Sequence, residues 1–502
     1  MKILGVSAGF HDAALTVLHN HRVKFAGHAE RYSKKKNDST IPIALQQEAM
    51  KHAPFDKIVY YEKPYLRQLR KLKSGEQWGG AWRTRTELLQ TIPHIMNNTS
   101  AEISSVGHHL SHAAAGFQTS PFDSATVVVI DAIGESDTIS IYHAHYNGAC
   151  LAGEHAQAHY KLLYQQKYPH SIGMFFSAVT KRCGLKPMDE EYITMGMAAY
   201  GDASKAYDTL KAATVKFIDK SLFKDNLHIG IDHVEFAKDV TVEDIAAAGQ
   251  QLCEEMVMHV IKKASLLDPY SKNLVYGGGV ALNCVINRRL GEHFDRIWIM
   301  PNPGDAGSSL GAAALGYGRD VYYGLPHFGT EIPGEYPVEA LLKELEINKI
   351  VGVASGRAEF GPRALGNRSL LADPRGADIK DKVNEIKRRQ KFRPFAPVIL
   401  EEYAHEYFIM PLFQPTSLYM QVVGQCKEPD KFPAIVHVDG TSRVQTVPNN
   451  NSGIRHLLNA WYRKTGCPML LNTSLNIRGE PMVDDRADAD RFEKQYGVRV
   501  CS

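Results

Sequence analysis

Three histidines within five positions, in "GHHLSHAA" at Gly107–Ala114, are the residues whose types and spacing most readily do chemistry. His108 and His112 are four apart, so on a helix they share one face, and two imidazoles one turn apart can grip a single metal ion. A bare H-x-x-x-H also fits a proton relay or a solvated helix in a chain with 22 His. A second chemical texture lies downstream. "GRAEFGPRALGNRSLLADPRG" carries Arg357, Arg363, Arg368 and Arg375, and "NEIKRRQKFRPFAP" adds Lys387, Arg388, Arg389, Lys391 and Arg393. Arginine beside Gly and Pro suits a preformed pocket for phosphate or carboxylate, and nucleic-acid contact or surface solubility is the plainer alternative.

The elements that must position these groups read as α/β. "ILGVSA", the turn "GFHD" and "AALTVL" form a strand–turn–strand unit that returns as "ATVVVIDAIGESDTISIYHA". In each copy an apolar run reaches a small polar or acidic residue, Ser7 and then Asp131. Two such units suggest two related subdomains across a cleft, with turns suited to phosphate or a metal–phosphate complex. "LVYGGGVALNCVINRRL" places glycines between a strand and a helix, where the backbone can approach a phosphate. In "RIWIMPNPGDAGSSLGAAALGYG" Asp305 follows a strand, at the end where ligands of α/β sheets gather. The stretch after Gly318, rich in Pro and Gly in its first half and a charged amphipathic helix in its second, reads as a linker plus the first helix of a second domain, which closes with the polar run in "LLNTSLNIRGEPMV".

The 502 residues suffice for two or three domains. With 44% hydrophobic and 23% charged residues and a net charge of +3, composition singles out no partner. Seven scattered Cys without a C-x-x-C pair fit a reducing compartment. The opening "MKILGVSAGFHDAALTVL" is broken by Gly, His and Asp and is not expected to be a signal peptide. No apolar run approaches the roughly 20 residues of a membrane span. A cytoplasmic protein making no membrane contact is the expectation, with a homodimer as a candidate assembly.

In order, "GHHLSHAA", "YITMGMAAYG", "GGGVALN", "PGDAGSSLGAA", "FGPRALGNRSLLADPR", "KFRPFAPVI" and "LLNTSLNIRGEP" resemble the O-carbamoyltransferases that modify nodulation factors, cephems and aminoglycosides. The similarity runs from Ile3 to about Val483. It implies an N-terminal duplicated actin-like (ASKHA, ribonuclease H-like) domain, residues 1–325, with the carbamoyl-transfer and metal site. A linker, 326–345, and a C-terminal YrdC-like α/β domain, 346–502, would follow. In such enzymes the YrdC-like domain converts carbamoyl phosphate and ATP to carbamoyl adenylate, and the actin-like domain passes the carbamoyl group to an acceptor hydroxyl.

Carried over by motif, His108, His112, Asp131 and Asp305 match the metal ligands, with Fe(II) the implied ion and Mg a further candidate. His109 matches a phosphate contact or base. Arg363, Lys387, Arg393, Arg443 and Ser474 match groups that hold carbamoyl phosphate and the adenylate, and Lys36 matches a lysine that reaches the nucleotide. Asp12, Gly278, Gly279, Asn283 and Asn472 are the further nucleotide candidates.

The acceptor is expected to be a small metabolite. The segment "YLRQLRKLKSGEQWGGAWRTR", with Arg67, Arg70, Lys71, Lys73, Arg83 and Arg85 interleaved with Trp78 and Trp82, raises the alternative of a hydroxymethylated nucleobase in DNA. A plain actin-like ATPase, a sugar kinase and a non-catalytic nucleic-acid-binding protein are the competing classes.

Overall fold

The computed structural model describes residues 1–74, 80–147, 157–231, 239–376 and 378–502. The chain divides into two compact units, Met1–Ala29 with Ser39–Gly324, and Glu30–Asp38 with Leu325–Ser502.

The first unit is built on two five-stranded sheets of one topology. Strand Lys2–Ser7 lies at the centre of the first sheet, with Ile3, Leu4 and Val6 apolar and every residue beyond Lys2 buried, as a two-sided core strand must be. It pairs antiparallel with Ala14–His19, which pairs antiparallel with Arg22–His28. On its other edge it runs parallel to Lys57–Tyr60, and that strand to Glu102–Ser105. In the second sheet the central strand Ser124–Gly134 is antiparallel to Asp137–Asn147, which pairs antiparallel with Gln157–Lys167. It is parallel to Asn273–Gly277, and that strand to Arg296–Ile299. The strand–turn–strand repeat of the sequence is therefore the leading part of a whole sheet used twice, the duplication that the actin-like resemblance implies.

Two helices of small residues join the sheets. His108–Phe117 follows the last strand of the first sheet and packs on the second; Ser308–Tyr317 follows the last strand of the second and packs on the first. They cross closely. A Cβ on Gly311 would stand 1.8 Å from the Ser111 carbonyl oxygen, and one on Gly5 1.8 Å from that of Ser309. A close-packed interior has no room there for a larger side chain. The crossing brings the start of the histidine helix to Asp305, just ahead of the other helix.

The second unit is also α/β. Its six-stranded sheet runs Gln445–Val447, Ala396–Leu400, Met469–Ser474, Arg368–Ala372, Ile350–Ala354, Val500–Cys501, over a core that includes Leu341, Val351, Leu370, Val398 and Trp461. Residues 326–345 do not form the expected linker. Strand His327–Ile332 pairs with Gly356–Glu359, and helix Val338–Asn348 buries Leu341 and Leu345 in the unit's core. The amphipathic spacing of that helix explains why: its apolar face needs a sheet to cover it. Nor does the first unit hold all of residues 1–325, because Glu30–Asp38 folds with the second unit. Among the described residues no helix is long and apolar enough to cross a membrane, and their cysteines are buried and unpaired.

Candidate metal centre and anion site

In the first unit His108, His112, Asp131 and Asp305 meet, all buried. One helical turn sets the two imidazoles side by side, with Nε2 atoms 3.1 Å apart. Asp131 Oδ2 lies 3.3 Å from His108 Nε2 and 3.7 Å from His112 Nε2; Asp305 Oδ1 lies 3.5 and 3.3 Å from the same atoms. Around one ion with bonds of about 2.1 Å, neighbouring ligand atoms stand about 3.0 to 3.5 Å apart. Asp305 Oδ1 is a buried acceptor with no aligned donor despite those two nitrogens. Lone pairs converging on one point, two from imidazoles and two from carboxylates, fit a divalent first-row cation.

The surroundings fix these groups. The Gly279 N–H donates to Asp131 Oδ1 (3.0 Å), leaving Oδ2 toward the histidines. The hydroxyl of Ser7 donates to the Asp305 carbonyl (2.7 Å), and that of Ser171 to the Ala132 carbonyl (2.7 Å). Gly134 is required by packing, since a Cβ there would stand 2.2 Å from His108 Cδ2. With protons in place of a cation, burial opposes charge on every member. The Asp305 and Asp131 carboxylates nevertheless hold His108 well above the usual imidazole range. In turn, despite burial, hydrogen bonds to His108 and His112 hold Asp131 well below the carboxylate range.

His109 points elsewhere. Its Nδ1 meets Ser140 Oγ at 2.8 Å, its Nε2 has no partner, and burial, then His108, lowers it to about 3, so it is a neutral imidazole. Of the nucleotide candidates, Asp12 sits at φ 51 and pairs with His11 Nδ1 at 3.1 Å. Gly278 takes φ +86, where a Cβ would stand 2.3 Å from the Ile130 carbonyl. The Asn283 side chain caps the helix after it at Ile286 N and pairs with Gln250; it acts there in the fold.

Sequence reasoning missed His11, whose Nε2 is 4.0 Å from Asp305 Oδ2; burial opposes its charge, but Asp305 and Asp12 raise it to about 9. The signal was the His of "GFHD". It also missed Glu62, whose Oε2 is 4.0 Å from the otherwise unpartnered His108 Nδ1.

In the second unit one end of the six-stranded sheet gathers the anion candidates. Lys387, buried, donates to Ser474 Oγ (3.1 Å), to the Ser474 carbonyl and to Asn476 Oδ1 (2.8 Å). Burial, then Arg389 and Arg393, pushes its ammonium well below the usual lysine range. Asn472 donates to Gln445 Oε1 (2.7 Å) and to the carbonyl of Ala364, next to Arg363, while its own buried Oδ1 has no partner. Arg443 lies two residues before Gln445, and its buried Nε has no partner. Lys36, in Glu30–Asp38, belongs to this unit and not to the first.

Each half of the chain matches a family. Residues 2–314 match the Carbamoyltransferase N-terminus and residues 342–501 the Carbamoyltransferase C-terminus. The chain belongs to the carbamoyltransferase family. It is an enzyme that transfers carbamoyl groups, which sets aside the kinase, plain ATPase and non-catalytic readings. Nodulation protein NolNO of Sinorhizobium fredii is 32% identical over 95% of this carbamoyltransferase and 76% of its own length. Nodulation protein U of Bradyrhizobium diazoefficiens is 27% identical over 97% and 94%. An uncharacterized protein of Synechocystis, sll1178, is 31% identical over 97% and 93%. Among solved structures, full-length HypF in its phosphate- and nucleotide-bound form covers 63% of this chain and 55% of its own at 13% identity and a TM-score of 0.38. A ROK hexokinase from Thermus thermophilus covers 62% and 97% at 13% and 0.32.

Several cations of this carbamoyltransferase have structural partners instead of the anion or nucleic-acid roles their sequence suggests. Arg67 forks between Glu62 Oε1 (2.6 Å) and Glu87 Oε2 (2.7 Å), so it does not present itself to a phosphate backbone. Trp78 of the same segment lies outside the described residues. Arg368 is buried against five carbonyls, those of Asp484, Ser355, Asn367, Thr330 and Gly356. Arg375 grips Asp373, and Arg357 donates to the Phe328 carbonyl. A guanidinium near irregular backbone meets carbonyls as readily as anions.

Proposed function

We propose that this carbamoyltransferase is ATP-dependent and acts on a hydroxyl of a small metabolite. Carbamoyl phosphate is first hydrolysed to carbamate and phosphate. The carbamate oxygen then attacks the α-phosphorus of ATP, giving carbamoyl adenylate and pyrophosphate. The acceptor oxygen finally displaces AMP and loses its proton. The observation that carries this reading is that there are two polar constellations, one in each unit, and that apart from Glu30–Asp38 each unit corresponds to its own half of the family.

In the second unit Lys387, Arg363, Arg393 and Arg443 bind the phosphate dianion. Cations fixed before the reaction stabilise charge that moves onto a leaving phosphate without reorganising. Ser474 and Asn476 hold the lysine in place, and Asn472 ties the Arg363 loop to the sheet. Lys36 reaches the nucleotide. In the first unit His108, His112, Asp131 and Asp305 hold a divalent ion, Fe(II) by family resemblance, with Mg as a further candidate. When bound, the ion supplies positive charge beside an oxygen that gains negative charge. His109, kept neutral, offers Nε2 for one hydrogen bond, and Asp12 with the Gly278–Gly279 turn faces the nucleotide. The commitment of Arg67 to two carboxylates favours a metabolite acceptor over DNA.

The test is incubation with ATP and carbamoyl-labelled carbamoyl phosphate, without and then with hydroxyl acceptors. Pyrophosphate should form only when both substrates are present, and label should enter an acceptor as a carbamate ester. No pyrophosphate from the two substrates together contradicts the reading.

A further inference from the structure

Arg31 is the most fully enclosed cation of the second unit left with unused donors. It is 3% exposed, and only Nη2 is engaged, donating to the Gly361 carbonyl at 2.9 Å. Its Nε and Nη1 are buried with no partner. A guanidinium taken out of water costs several kcal/mol unless it is paired, and buried N–H groups are almost always satisfied. Arg368, the other buried guanidinium of this region, shows the satisfied case, with five carbonyl bonds.

The neighbourhood argues for an anion. Gly361 is two residues from Arg363 in "FGPR", so Arg31 grips the loop that presents an anion candidate. The segment bearing Arg31 is anchored by its other members. Lys34 pairs with Asp488, Tyr32 OH meets Thr330 Oγ1 at 2.8 Å, and the Asn37 N–H donates to Glu30 Oε2 at 3.1 Å. Of the nearby acids, Asp488 takes Lys34 and Arg491, and Asp484 accepts from Thr330 Oγ1 at 2.6 Å; Asp484 is near enough to feel the charge of Arg31, yet no carboxylate meets Nε or Nη1.

We infer that Arg31 is a further substrate-binding residue of the second unit, its Nε–H and Nη1–H donating to phosphate oxygens. These two N–H groups lie on different edges of the guanidinium plane, so each meets a phosphate oxygen of its own, while Nη2 stays on the Gly361 carbonyl. This rests on the proposed function. The phosphate belongs either to ATP or to carbamoyl phosphate, and both ligands are needed in the test.

The full-length protein is titrated with ATP and, separately, with carbamoyl phosphate, as wild type and as Arg31→Gln, Arg31→Lys and Arg393→Ala. Arg31→Gln and Arg31→Lys should fold as wild type and lose at least tenfold in affinity for one ligand, the weakened ligand naming the source of the phosphate. Lysine keeps the charge but lacks two fixed, separately directed N–H groups, so it should not rescue. If Arg31→Gln does not fold, Arg31→Lys is read alone. Wild-type affinities for both ligands in folded Arg31 variants overturn the inference, because buried water then satisfies the guanidinium; weakened binding in Arg393→Ala leaves the proposed function standing. A wild type that binds neither ligand overturns both.

Discussion

Gly134 lies against His108 so closely that a single added methyl would stand 2.2 Å from the ring and 2.8 Å from that of His109. The turn that ends the central strand of the second sheet thus sets where the histidine helix places its imidazoles. Ligand geometry here depends on a residue that ligates nothing.

Metal content should report this. Native protein is expected to carry about one transition-metal ion per chain by elemental analysis, and His112→Ala to lose it. Gly134→Ala should also lower occupancy, and should cost about 1–3 kcal/mol in unfolding measurements through overpacking. Full occupancy in both variants contradicts the assignment.

Arg67 is predicted to matter for stability. Its side chain is 13% exposed, and the Glu62 and Glu87 side chains it forks are 6% and 9% exposed. Removing one partner of a buried pair leaves uncompensated charge, so Arg67→Ala should destabilise by about 3–5 kcal/mol in denaturant unfolding. A loss under about 1 kcal/mol would show that water reaches these carboxylates.

How much of this was legible in the sequence differs between residues. His108 and His112 declare themselves through one-turn spacing, and the paired "ILGVSAGFHDAALTVL" and "ATVVVIDAIGESDTISIYHA" announce a duplication. Asp131 and Asp305 were visible as acids at strand ends, but nothing local ties them to the histidines; the fold around two crossing small-residue helices brings the four together, and only family resemblance named them as ligands beforehand. The fork at Arg67 was hidden because its acceptors, Glu62 and Glu87, lie 5 and 20 residues away on opposite sides of it in the chain. Glu30–Asp38 looked like part of the first unit because sequence adjacency says nothing of which core a loop joins.

Lys387 should bind phosphate ligands with uptake of a proton. Burial, then Arg389 and Arg393, holds its free pKa well below the lysine range, and a dianion beside it raises that pKa again. Between the two values the free site is neutral and the bound site charged. Affinity for carbamoyl phosphate should therefore be greatest at low pH and fall as pH rises through the free value. Calorimetry in buffers of different ionisation enthalpy should show the uptake in wild type and none in Lys387→Met. Equal enthalpies across buffers in wild type would mean the lysine is already charged.

The division of labour between the two units is tested most directly by following pyrophosphate release and carbamoylated product together in His112→Ala and Arg393→Ala. Losing one pre-set contact to developing charge costs about 3 kcal/mol, a hundredfold or more in rate, so the variants should separate cleanly. Arg393→Ala should lose both signals, because the adenylate never forms. His112→Ala should still release pyrophosphate in the presence of ATP and carbamoyl phosphate, yet yield no product. If folded His112→Ala stops pyrophosphate release as completely as Arg393→Ala does, the two chemistries do not reside in separate units.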